Sequence, residues 1–334
     1  MRVEIPKSNT LEQQVFNIHN ENDFSSIALE VYQFQFSFNP IYQSYCEAVG
    51  RTPAEVHHVN DIPFLPISFF KTHRVTTTSF EPELIFKSSG TTASATSSHY
   101  IKSSGLYRES FTRCFELFYG RPEDLCIIGL LPSYLEQGNS SLIYMVDHLI
   151  RRSVDPASGF YLNDFKGLSH KLQSLEAAGR KTLLIGVTYA LLDFASAFPC
   201  RLQNTIVMET GGMKGRKREM VKKEMYADLK ESFGLNEIHG EYGMTELLSQ
   251  AYGKEGQYLT PPWMRILLRD ETDPFLVYPV EKNTSGGINI IDLANLYSCS
   301  FIATGDVGKR EEHHIEVMGR LDHSDIRGCS LLTT

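Results

Sequence analysis

The sequence predicts an α/β fold: a largely parallel sheet flanked by helices, followed by a β-rich C-terminal part. Three observations predict it. Between residue 84 and about 258, short apolar runs ending in glycine or small polar residues alternate with helical stretches. That alternation marks a mostly parallel sheet covered on both faces. After residue 260 the helical signals fade, and shorter strand patterns replace them. Finally, 334 residues with 42% hydrophobic and 22% charged side chains supply enough apolar material for one large core or two closely packed lobes. These shifts divide the chain into a helical N-terminal segment (1–80), an α/β core (81–258) and a β-rich part with a short tail (259–334).

The elements follow in order. "TLEQQVFNIHN" places Thr10 and Gln13 at capping-box spacing, and "DFSSIALEVYQFQF" continues with aromatic-rich helical positions. This segment is expected to pack on the main body or to shape a ligand tunnel. "LIFKSSGTT" then precedes "SSGLYRESFTRCFELF", "LCIIGLLPS" precedes "SLIYMVDHLIRR", and "TLLIGVTY" precedes "ALLDFASAF". "TIVMETGG" precedes "RKREMVKKEMYADLKESF", and a strand near 237–240 leads into "HGEYGMTE". "MRILLRD", "GGINIIDL", "SFIATGD" and "HIEVMGR" complete the β-rich part.

Composition excludes several functions. No apolar run approaches the roughly 20 residues of a membrane-spanning helix. "MRVEIPKSNTLEQQ" lacks the apolar stretch and cleavage site of a secretory signal, so residence in the cytoplasm and reduced cysteines are expected. Cys46, Cys114, Cys126, Cys200, Cys299 and Cys329 are scattered, with no Cys-x-x-Cys and no paired histidine at ligand spacing, against a structural zinc site. A net charge of −8 argues against a nucleic-acid surface, and the basic run at 214–225 alternates with acids as a solvated helix face does.

Ligands of open α/β sheets bind beyond the carboxyl ends of the strands. Three loops there carry chemistry. "KSSGTTASATSS" (87–98) offers backbone N–H groups and hydroxyls suited to phosphate oxygens, with Gly90 permitting close approach. It lacks the Gly-Lys-Ser/Thr of a Walker loop, and such a turn taken alone is more often merely solvated. "HGEYGMTE" (239–246) sets two carboxylates around a Tyr-Gly pair. Glu246 is the candidate Mg²⁺ ligand, since that ion prefers oxygen and often keeps phosphate and water in its shell. Tyr242 offers a flat face for a base, or is plain core. "IATGDVG" (302–308) holds Asp306, whose carboxylate can accept hydrogen bonds from both hydroxyls of a ribose, or simply close a turn.

The order of "SSGTT", "GG" at 211–212, "YGMTE", "TGD" and "GRLD" resembles the adenylate-forming superfamily of acyl-CoA ligases and peptide-synthetase adenylation domains, over residues 84–334. The resemblance implies that superfamily's N-terminal-type fold, ATP and Mg²⁺ as cofactors, and a role for each matching position. Ser88, Ser89, Gly90, Thr91 and Thr92 would contact ATP phosphates. Gly211 and Gly212 would border the adenine, with Tyr242 and Gly243 against it. Thr245 would touch phosphate, Glu246 would bind Mg²⁺, Asp306 would hold the ribose, and Arg320 would support that contact. One departure is "ASAT" (93–96), which supplies neither the glycine nor the lysine that usually follows the phosphate loop. Another is that twelve residues follow Asp322, so the usual separate C-terminal domain with its catalytic lysine is not expected.

The ending "RLDHSDIRGCSLL" resembles the acyl-protein synthetase (LuxE-like) branch. That resemblance implies activation of a fatty acid as acyl-AMP, transfer to the C-terminal cysteine, here Cys329, and delivery to a partner reductase or acyltransferase. The chemistry is consistent, because a thiolate attacking a mixed anhydride forms a thioester and divides a hard transfer into easier steps. Arg327 nearby would favour the thiolate. An acyl- or aryl-CoA ligase of the phenylacetate-CoA ligase type and a non-catalytic nucleotide-binding subunit are the competing readings. His239 and the tyrosines are candidates for an acyl pocket as well as for core.

Overall fold

The computed structural model describes residues 8–88, 96–131, 139–212, 222–280, 282 and 284–321. Three helices open the chain: α1 (Ser8–Val15), α2 (Glu21–Phe38) and α3 (Pro40–Ala48). The first begins at Ser8, so Thr10 lies within it rather than capping it. Asn20 and Asn39 cap the other two, each side chain accepting from backbone N–H groups of the first turn. The buried face of α2 includes a polar residue, Gln35. Its amide donates to the carbonyls of Asn295 and Leu296 and accepts from Ser300 N, fastening the N-terminal helices to the loop before a central strand.

Next come β1 (Leu65–Pro66), α4 (Phe69–Thr72), β2 (Leu84–Lys87), β3 (Ser98–Ile101) and α5 (Ser104–Tyr119). The core proceeds through β4 (Cys126–Leu130), α6 (Ser141–Arg152), β5 (Gly159–Phe160), α7 (Phe165–Ala177), β6 (Thr182–Gly186), α8 (Thr188–Ala197), β7 (Thr205–Glu209) and α9 (Lys222–Phe233). It ends with β8 (His239–Tyr242), β9 (Ala251–Lys254), β10 (Gln257–Leu259), β11 (Met264–Arg269), β12 (Ser285–Asp292), β13 (Phe301–Glu311) and β14 (His314–Arg320).

Twelve of these strands form one sheet in the order β11-β12-β13-β14-β10-β9-β8-β7-β6-β4-β5, with β1 added beside β13. The β5-β4-β6-β7-β8 half is parallel. From β8 through β9, β10, β14, β13 and β12 to β11 every pairing is antiparallel. Hydrogen bonding is therefore continuous from the α/β core into the β-rich part. Every residue of β4 and β6 is buried, as strands sandwiched between helices must be, and both read as unbroken apolar runs.

One apolar run departs from the sequence expectation. "LIFK" does not join the main sheet; β2 pairs antiparallel with β3 in a separate two-stranded ribbon. Only Phe86 of its four residues is buried, too little for a strand covered on both faces. β2 and β3 thus form a hairpin, with Ser88 and Ser97 side by side just beyond their last paired residues. Among the described residues, no helix is long and apolar enough to cross a membrane.

Candidate active site

Ser88 stands at the foot of that hairpin. Its N–H donates to Ser97 O at 3.1 Å, and its Oγ accepts from Ser97 N at 2.9 Å. Ser89, Gly90, Thr91 and Thr92 lie outside the described residues. Ser97 also hydrogen-bonds the carboxyl of Glu246, which is only 5% exposed. One further step along β3, buried His99 sets Nδ1 2.8 Å from Thr245 O and Nε2 3.0 Å from Asn295 Oδ1. Burial holds this imidazole down to about 4, against the pull of both acceptors, so the ring is neutral near pH 7. The Asn295 amide donates in turn to Glu246 O at 2.8 Å. The neck of the hydroxyl-rich loop and the Thr-Glu pair, about 150 residues apart in sequence, are thereby one bonded unit.

Tyr242 is the last residue of β8, two positions beyond the expected strand end. Its hydroxyl donates to Asp306 Oδ2 at 2.8 Å, while its ring lies 5.7 Å from that of Tyr258. Burial and the adjacent Asp306 carboxylate push the phenol well above its usual pKa, so Tyr242 remains a neutral donor. Asp306 sits inside β13, directly across from Arg320 on β14, and its N–H donates to Thr304 Oγ1. The Arg320 side chain is 89% exposed and its Nε is 3.7 Å from Asp306 Oδ1, so this solvated ion pair adds little energy. Tyr242 occupies one acceptor position of Asp306 and leaves others for a diol.

Gly211 and Gly212 follow β7 with φ of 73° and 92°, a region that favours glycine. They are anchored from below. Gly211 N donates to Glu209 Oε2 at 2.7 Å, and Gly211 O accepts from Thr188 N at the start of α8. Glu209, 2% exposed, also receives the hydroxyls of Thr188, Tyr226 and Tyr258. Glu209, His99 and Asn295 escaped sequence reasoning, since nothing local separates them from ordinary strand and loop residues.

Glu246 fits the role of a Mg²⁺ ligand in one respect. Burial raises its pKa, a penalty that a dication beside it would reverse. Among the described residues no group of three His, Cys, Asp or Glu side chains forms a metal cage. A single carboxylate suits an ion that brings phosphate and water with it.

Glu241, between Gly240 and Tyr242, is 7% exposed. Burial, reinforced by Glu209, pushes its pKa up to about 8. Between its ordinary value of 4.5 and about 8, the folded protein holds a proton that the unfolded chain releases, so stability falls as pH rises through that window. Glu241→Gln is expected to remove this loss, stabilising the protein by about 3 kcal/mol at pH 7 and by much less at pH 5. Urea unfolding of both proteins at the two pH values checks it, and an equal gain at both would contradict the assignment.

No protein-family model matches the chain, and no curated protein matches it in sequence. The fold is similar to that of a 2-hydroxyisobutyryl-CoA ligase in the postadenylation state in complex with R3-HIB-AMP. The two share 12% identity over 96% of this chain and 72% of that one, with a TM-score of 0.62. Weaker likenesses include McyG A-PCP complexed with phenylalanyl-adenylate, at 12% identity, 84% of this chain, 54% of that one and a TM-score of 0.49. Another is a fatty acyl-adenylate ligase from L. pneumophila in complex with acyl adenylate and pyrophosphate, at 12% identity, 75%, 53% and 0.46. The chain spans about half the length of these last two. The mixed α/β architecture, with its β-rich C-terminal part, is that of the N-terminal domain of adenylate-forming enzymes.

Proposed function

We propose that this chain uses ATP to activate a carboxylic acid, with fatty acids the leading class, as an acyl adenylate, and that Cys329 then accepts the acyl group as a thioester. The observation that carries the first half is the bonded pair Tyr242–Asp306 at the end of β8, with the Gly211–Gly212 turn following the neighbouring strand β7, in a fold similar to that of an adenylate-bound ligase. Asp306 receives the ribose hydroxyls, the Tyr242 ring and the glycine turn flank the base, and the hydroxyl-rich loop cradles the phosphates. Thr245 would touch phosphate and Glu246 would hold Mg²⁺, an ion that would supply positive charge against the departing pyrophosphate. The carboxylate oxygen of the acid attacks the α-phosphorus, and the bond to pyrophosphate breaks.

The second half rests on the sequence around Cys329, which lies outside the described residues. The thiolate adds to the adenylate's carbonyl carbon, AMP leaves, and the thioester passes to a reductase or acyltransferase partner in the cytoplasm. Intact and peptide-mapped mass spectrometry after incubation with ATP, Mg²⁺ and mixed fatty acids tests both halves. The expected result is an ATP-dependent, hydroxylamine-labile acyl adduct on the Cys329 peptide, absent from Cys329→Ser while pyrophosphate release continues. Acyl-AMP without any adduct would instead favour free coenzyme A as acceptor. ATP binding with neither product would point to a non-catalytic subunit.

A further inference from the structure

Two polar side chains beside the candidate site draw attention. Gln250 is 5% exposed, and its buried Oε1 accepts no hydrogen bond among the described residues. Leaving such an atom unpaired costs about 1–3 kcal/mol, and native proteins seldom do so without a reason. The other is Glu241, whose raised pKa comes from burial and the neighbouring Glu209, with no hydrogen bond to offset them.

The two side chains meet at one place. The β8–β9 ladder pairs Glu241 with Tyr252 and ends with Tyr242 opposite Ala251, so Gly243 and Gln250 flank the point where the two strands part. A methyl group added to Gly243 would lie 2.5 Å from Glu241 Oε1 and 3.4 Å from Gln250 Cγ, so both side chains converge over this glycine. Gly243 is two residues from Thr245, at most about 7 Å away along the chain.

Their chemistry is complementary. At neutral pH Glu241 is the carboxylic acid, with an O–H to donate, while the Gln250 oxygen can only accept. A hydroxyl group is both acceptor and donor and would satisfy the pair at once. An unsubstituted methylene chain would offer neither group a partner. The same face of β8 continues to His239, which with Phe118, Tyr119 and Tyr252 borders a cavity of about 240 Å³, so aromatic surface for the remainder of an acyl chain lies nearby.

We propose that Glu241 and Gln250 form a hydrogen-bonding subsite for a hydroxyl carried on the substrate's acyl group near its carboxyl end, so that the acid activated is a hydroxylated fatty acid. This deepens the adenylation reading and rests on it for the chemistry, but not for the binding. An ammonium substituent is the competing ligand, since it would draw Glu241 into its ionised form. Glutamine at 241 separates the two, because its amide N–H still donates to a hydroxyl but has no charge for an ammonium.

The test compares decanoate with its 2-, 3- and 5-hydroxy counterparts and with 2-aminodecanoate. It uses ATP–pyrophosphate exchange and, separately, equilibrium binding to the full chain without nucleotide. At least one hydroxy acid should exceed decanoate tenfold or more in kcat/KM and in affinity. Glu241→Leu should bring both ratios close to one, and Glu241→Gln should keep them within about threefold of wild type. Equal handling of decanoate and every hydroxy acid overturns the subsite. So does a hydroxyl preference that survives Glu241→Leu, or an amino-acid preference that glutamine abolishes. Preferential binding without exchange sustains the subsite and instead overturns adenylation. If Glu241→Leu fails to fold, Gln250→Leu replaces it with the same expected loss of preference.

Discussion

Asp306→Ala is expected to lower ATP–pyrophosphate exchange about 100-fold or more, with the fold retained. Two hydrogen bonds from ribose hydroxyls to a carboxylate contribute about 1.5–3 kcal/mol each, and 1.4 kcal/mol is a factor of ten. Alanine removes both. It also removes the acceptor of the Tyr242 hydroxyl, so the variant alone would confuse ribose binding with loss of the tether. Tyr242→Phe separates the two effects, since it breaks the 2.8 Å bond but keeps both ring and carboxylate, and it should cost less than tenfold. The loss in Asp306→Ala should appear mainly as a raised KM for ATP, with the carboxylic acid's KM little changed. Comparable losses in the two variants would mean that Asp306 acts by positioning Tyr242 rather than by holding the nucleotide.

Asp292→Ala should leave little folded protein at 37 °C. Asp292 is fully buried at the end of β12 and accepts from Leu248 N, Ser249 N, Ser249 Oγ and Ala294 N at 2.8, 2.9, 2.6 and 3.2 Å. Ser249 Oγ additionally receives Trp263 Nε1 and meets Ser110 Oγ. Alanine would orphan four donors where water does not reach, at about 1–3 kcal/mol each. Even the low end approaches the 5–15 kcal/mol that holds a typical protein folded. The segment released is the one immediately following Thr245 and Glu246, so Asp292 supports the site from behind. Asp292→Asn keeps the shape and one acceptor oxygen but turns an amide NH₂, itself a donor, toward donors, and should be intermediate. Soluble yield and urea midpoints measure both, and a midpoint for Asp292→Ala near that of wild type would refute this account of the network.

Much of the architecture was legible in the chain. β4, β6 and β7 appear as apolar runs because a strand covered on both faces has no solvated side to mark. "MRILLRD", "GGINIIDL", "SFIATGD" and "HIEVMGR" became β11 to β14. Tyr242, Asp306 and Glu246 stood out as candidates because each belongs to a short motif with glycine or a hydroxyl residue beside it, and the structure brings Tyr242 and Asp306 into contact. β2 misled because four apolar-looking residues cannot reveal whether one face or two will be covered. The pairing of Ser88 with Ser97 and the clasp of His99 on Thr245 left no trace, since a lone Ser or His has the same local pattern whether bonded or solvated.

The sequence by itself determined which segments become strands and helices, in what order they come, and which loops carry hydroxyl, carboxylate and glycine residues. Those properties depend on periodicity and residue type within a dozen positions. Only the tertiary structure decided that Tyr242 meets Asp306, that Glu209 underpins the Gly211–Gly212 turn, and that Glu241 and Gln250 converge over Gly243. Strand register sets these distances, and burial then sets the protonation of the groups brought together. Neither quantity exists until segments far apart in the chain are packed against one another.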